Sequence, residues 1–149
     1  MIAISNRQRA GARARKIDLR LFEKITAAAL EELEMQMEEL SIVLVSAEEM
    51  AQINEKFLGH EGPTDVITFD YSEGNKGLSG EIFICPEVAR KQAKEFKTTR
   101  QAEAVRYLVH GILHLAGHDD LNPVARKKMK REEGRLVREL SRRFALSKL

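Results

Sequence analysis

The sequence predicts an α/β protein built as an α+β sandwich, a small mixed sheet of about four strands packed with several helices. Three observations point there. Strand-like and helix-like segments alternate over much of the chain and then give way to helices alone. The run LSIVLVS (40–46) is densely β-branched and too short for a buried helix, which makes it an inner strand. The runs DVITFDY (65–71) and GEIFICP (80–86) flank the glycine-rich loop SEGNKGLSG, the spacing of a hairpin with a long connection.

Each element has a local reason. IAIS (2–5) reads as a first short strand. From Ile17 to about Met37, Leu21, Ile25, Ala28 and Ala29 recur at helical spacing and mark an amphipathic helix. Ser46 reads as the N-cap of a helix over 47 to about 57, with Glu49 completing a capping box and Gly59 near its end. GHEGPT is a turn broken at Gly62-Pro63. Pro86 suits the first turn of PEVARKQAKEF. A long helix runs from about Thr99 to Ala116 and stops at Gly117, a residue suited to left-handed backbone. Asn122 and Pro123 form the cap and first turn of a last helix, about 123–145. No internal repeat, low-complexity tract or linker interrupts the chain, so residues 1–149 are expected to form a single domain.

Composition narrows the class. With 149 residues, 43% hydrophobic and 32% charged, the chain can bury a core and is not of disordered type. No run approaches the roughly 20 apolar residues of a membrane span. The basic N-terminus lacks the apolar stretch of a secretory signal, and MIAIS reads as a strand rather than a targeting peptide. The single Cys85, in the apolar setting EIFICPE, can form no internal disulfide and suggests a buried thiol in a reducing, cytoplasmic compartment. The net charge of +2 conceals segregation. Arg7, Arg9, Arg13, Arg15, Lys16 and Arg20 stand against Asp18 alone, Glu31 to Glu39 is acidic, and RKKMKREEGRLVRELSRR (126–143) is again basic. Either basic segment alone reads as the solvated face of a helix. The two together favour a nucleic-acid partner if the chain also carries a hydrolytic site.

The chemistry is concentrated in HGILHLAGHDD (110–120). His110 and His114 lie one helical turn apart and project from one face, a spacing that suits a divalent metal with nitrogen ligands at about 2.0–2.1 Å. Their neighbours Leu108, Val109, Ile112, Leu113 and Leu115 are apolar, so the imidazoles need polar partners. A third ligand is available beyond the turn at Gly117, from His118 or Asp120. Such a centre keeps an open position for water, whose pKa the metal lowers toward about 7. The spacing is shared with zinc proteases of the metzincin kind. Those place Glu after the first His as general base, whereas Gly111 stands here, which weakens a peptidase reading.

The stretch resembles the YbeY family of bacterial endoribonucleases and rRNA maturation factors, whose signature reads H-G-x-L-H-L-x-G-x-D-H. His110, Gly111, Leu113, His114, Leu115, Gly117 and Asp119 match it. NEKFLGHEGPTDVITFD is similar to the family's N-x-x-[YF]-x5-P-T-D-V-L-S-F segment, and GEIFI to its G-D-I-x-I strand. The resemblance implies a zincin-like helix and one Zn2+ per chain held by His110, His114 and, by register, Asp120, which stands where the family has a third histidine. Two histidines and a carboxylate also suit other divalent metals, iron(II) among them. The resemblance further implies metal-dependent cleavage of single-stranded RNA in 16S rRNA 3′-end maturation and ribosome quality control, with the ribosome as partner and the cytoplasm as compartment. Leu58 replaces a family arginine thought to contact RNA. Asp119 reads either as support for a ligand imidazole or as an Asx turn; Thr64, Asp65 and Glu81 are candidates to line the cleft. Phe69 and Tyr107 are candidates for base stacking, with core packing the alternative. The competing functions are a metzincin-like metallopeptidase and a non-catalytic ribosome assembly factor with a structural metal.

Overall fold

A computed structural model describes residues 1–8, 16–74 and 77–149. Arg9, Arg13 and Arg15 of the basic N-terminal stretch lie outside the described residues, as do Asn75 and Lys76 of the hairpin loop.

Four strands form one mixed sheet in the order β1-β2-β4-β3. β1 (Ile2–Asn6) runs parallel to β2 (Met37–Leu44), and β2 parallel to β4 (Leu78–Ile84). β3 (Val66–Asp70) closes the other edge antiparallel to β4, as a hairpin requires. The helices are α1 (Leu19–Glu32), α2 (Ala47–Ile53), α3 (Pro86–Phe96), α4 (Arg100–Leu115) and α5 (Pro123–Arg143). A π-helical turn at Asn54–Leu58 continues α2 to Gly59, which takes left-handed φ.

The period-2 alternation of β2 and β4 sorts their side chains into two layers. Leu40, Ile42, Leu44, Ile82 and Ile84 join α1, α4 and α5 in the larger core. Val43, Val45, Ile67, Phe83 and Cys85 form a smaller one with Met50 of α2. α4 lies at the centre of the larger layer, with Leu108, Ile112 and Leu113 fully buried. Each such side chain contributes roughly 1.5–3 kcal/mol of apolar burial, so the helix carrying both histidines is fixed by the core.

Its seat on the sheet is unusually close. A Cβ at Gly111 would lie 2.9 Å from Ile82 and 3.0 Å from the Thr68 hydroxyl, and one at Gly80 would lie 2.7 Å from Leu115. A glycine on each partner lets backbone approach backbone.

The expected caps are present: Ser46 accepts from the Glu49 N–H (3.1 Å) and Asn122 from that of Ala125 (2.9 Å); Thr99 also caps its helix, accepting from the Ala102 N–H (3.1 Å). Only half of the predicted capping box forms, because the Glu49 carboxylate pairs with Arg7 at 2.9 Å.

One boundary needs correction: α1 ends at Glu32, not near Met37. Glu34 adopts φ 53°, and the Met35 N–H returns to the Leu30 carbonyl at 2.9 Å while that of Glu34 returns to Glu31 at 3.0 Å. This is a Schellman ending with glutamate where glycine is usual, so it carries no glycine signal in the sequence. Met37 then opens β2, three residues earlier than expected.

Candidate metal centre and its surroundings

α4 ends in a second Schellman turn. Gly117 takes φ 99°, its N–H donates to the His114 carbonyl (3.0 Å), and the His118 N–H donates to that of Leu113 (3.0 Å). This reversal carries the chain back over the last turn of α4. His110, His114 and Asp120 thereby each place one ligand atom within 4.8 Å of the others.

The hydrogen bonds settle which imidazole nitrogens face inward. His110 Nδ1 lies 2.8 Å from Glu133 Oε1, an acceptor, and so donates to it. His114 Nδ1 donates to the His118 carbonyl at 3.1 Å. In the neutral rings both protons are committed outward, and the two Nε2 lone pairs face each other 3.1 Å apart. Two such lone pairs repel unless a cation lies between them. The separation is close to the edge of a tetrahedron with bonds of about 2.0–2.1 Å. The donor set therefore fits a divalent metal.

Glu133 secures this arrangement. Its second oxygen accepts from Arg106 at 3.0 Å. Burial pushes its carboxyl pKa up, but the bonds from His110 and Arg106 outweigh that and leave it below the usual range. For His110, burial pulls the pKa down. The Glu133 hydrogen bond and charge, with Asp65 and Asp120 beyond, more than offset this and leave it above the ordinary histidine value. A carboxylate behind a ligand imidazole fixes its tautomer and raises its basicity.

Sequence reasoning missed Glu133. A signal was present: Met129, Glu133, Leu136, Val137 and Leu140 form the buried stripe of α5, and Glu133 is its one charged member. A carboxylate on an apolar helical face calls for a partner.

His118 contributes its backbone carbonyl, and its ring is not in the group that Asp120 joins. Asp119 accepts from the Leu121 N–H at 3.1 Å, an Asx turn, and makes no bond to an imidazole. Asp65 lines the cleft, holding the Val66 N–H (2.8 Å) and the Thr64 hydroxyl (3.2 Å). Glu81 points to the opposite face of the sheet, where Tyr71 (3.2 Å) and Ser41 (3.4 Å) donate to it. Tyr107 is buried and donates to Gln92; burial, with the charges of Asp65 and Glu103, pushes its pKa up. Phe69 packs among Phe57, Tyr71 and Phe83. Gly111 faces Ile82 and Thr68 of the sheet, so no glutamate fits there.

Two cavities meet at the group. One, of about 610 Å³, opens between α3, α4 and α5 and reaches His110 and Asp120. The other, of about 420 Å³, lies along β3 and reaches both histidines, with Leu58 and Asp70 on its wall.

The family model described as Endoribonuclease YbeY matches residues 3–141. The chain is 39% identical over 121 residues to Endoribonuclease YbeY of Elusimicrobium minutum, covering 78% of this chain and 85% of that protein. It is 38% identical over 104 residues to the Bacteroides fragilis protein of the same name, covering 70% and 74%. The solution structure of TM1509 from Thermotoga maritima superposes with a TM-score of 0.65 at 31% identity, over 94% of this chain and 89% of that one.

Proposed function

The chain belongs to the YbeY family, and from that premise we propose that it is a metal-dependent endoribonuclease, a hydrolase cutting phosphodiester bonds within single-stranded RNA. The observation that carries the metal dependence is the pair of facing Nε2 atoms, 3.1 Å apart, with Asp120 alongside and both Nδ1 protons committed elsewhere. His110, His114 and Asp120 would hold one divalent ion, with Zn2+ as the assignment; Asp120 supplies an oxygen donor at the position where the family signature has histidine. When bound, the ion supplies Lewis acidity toward the phosphoryl oxygen and acidifies water.

This chain's own residues do the rest. Glu133 and the His118 carbonyl keep the two rings in one tautomer, so neither turns away. Arg106 keeps Glu133 ionised. The apolar seat of α4 excludes water from behind the histidines. Gly111 rules out the peptidase-type base at that position, which favours RNA over peptide. We assign the wider role to 16S rRNA 3′-end maturation and ribosome quality control, with the ribosome as partner, the cytoplasm as compartment and residues 1–149 as one domain. In support of the compartment, Cys85 is a buried free thiol and no helix among the described residues is long and apolar enough to cross a membrane.

The test is cleavage of an unstructured RNA by purified protein with and without chelator, alongside metal analysis. Chelator should abolish cutting and Zn2+ restore it. Cutting that survives complete metal removal would overturn the reading.

A further inference from the structure

We propose that the cavity between α3, α4 and α5 is a nucleotide subsite, in which a base beside the scissile phosphate stacks on Phe96 while Arg126 and Lys130 hold its phosphate. This rests on the endoribonuclease reading and adds to it the residues that seat the strand, and the side of the metal group on which it enters.

Three helices build the cavity with side chains at helical spacing: Gln92 and Phe96 from α3, Tyr107 and His110 from α4, Arg126 and Lys130 from α5. Its volume, about 610 Å³, lies within the range of roughly 300–1,000 Å³ typical of small-ligand sites, and His110 and Asp120 form one wall. Whatever occupies it lies directly against the metal group.

Phe96 is 62% exposed at the rim, the last residue of α3 before Lys97 turns the chain at φ 57°. A large aromatic left half in water, on a cavity wall beside a phosphodiesterase centre, is the platform a splayed base uses. The cations agree. Arg106 is committed to Glu133, and on the far turns of α5 Arg135, Arg142 and Arg143 pair with Glu132, Glu139 and Glu32. Arg126 and Lys130 make no ion pair among the described residues; Arg126 reaches only the Asp120 carbonyl, at 3.4 Å. The buried Glu103 carboxylate on the same wall is engaged by the Thr98 hydroxyl at 2.8 Å. The cavity along β3 shares Asp65 and Asp120 with it and adds Asp70, and among the described residues no lysine or arginine lines it, so it offers a phosphate no side-chain cation.

The test uses the full chain and an unstructured RNA oligonucleotide, with binding measured in chelator across a salt series and cleavage measured with Zn2+. Phe96→Ala should weaken binding roughly five- to a hundredfold, and Phe96→Trp should restore it. Lys130→Gln should reduce the salt slope by about 0.7. In each case KM should move more than kcat, with metal stoichiometry and melting temperature unchanged. An abasic scan of the oligonucleotide should find one position where the wild type loses the factor that Phe96→Ala loses, and where that variant loses nothing more. Wild-type affinity in both variants, with cleavage intact in the parent, would remove the subsite and leave the endoribonuclease standing. A parent that neither binds nor cuts RNA would remove both.

Discussion

The two cavities that meet at His110 and Asp120 differ in what built them. The one between α3, α4 and α5 is walled by helices, and its side chains follow the i, i+4 rule. It gathers Arg106, Arg126 and Lys130 beside His110 and Asp120. The one along β3 is walled by a sheet edge. It presents Leu58, Thr68 and Asp70 and, among the described residues, no lysine or arginine. His110 and Asp120 thus stand between a surface with cations to hold a polyanion and one that, among the described residues, has none. A metal centre on a helix acquires polarity when its two flanks belong to different kinds of secondary structure.

The comparison can be broken at its shared centre first. His110→Ala removes a proposed ligand that lines both cavities, so bound metal should fall to background and RNA cleavage with it; full metal content by elemental analysis would end the assignment. Glu133→Gln acts from the helical side alone. It keeps the shape but loses the charge behind His110, and metal affinity should drop about 10- to 100-fold in competition with a chromophoric chelator. Gly111→Ala probes the close seat on the sheet. A methyl group 2.9 Å from Ile82 should cost about 1–3 kcal/mol in urea unfolding. No loss of stability would mean that α4 can lift from β4. Asp70→Asn, on the sheet side, should change RNA affinity by less than about threefold, the scale of one exposed charge. A tenfold gain there would place the RNA strand in the cavity along β3 instead.

Much of the fold was legible because its signals are local. The β-branched run of β2, the caps at Ser46 and Asn122, Pro86 and Gly117 each act within a few residues of themselves, and each stands where the pattern places it. The end of α1 was not legible, because Glu34 occupies a left-handed position by virtue of the return of Met35 to Leu30 rather than through its own preference. Glu133 was hidden differently. It differs from Glu132 only in which face of α5 it occupies, and that face acquires meaning only when α4 packs against it. Gly111 was visible as a departure from the peptidase pattern, yet its cause, the proximity of Ile82 and Thr68, belongs to the sheet.

The sequence by itself determined the alternation of strands and helices, the helical phase that sets two imidazoles on one face, and the glycine that reverses the chain after them. All of these follow from backbone preferences and the 3.6-residue period. Only the tertiary structure decided that Asp120 and not the His118 ring joins the pair, that Glu133 orients His110, and that the free cations flank one side of the group. Those choices depend on where α5 docks, and docking is fixed by burial summed over residues distant along the chain, a sum that no short stretch contains.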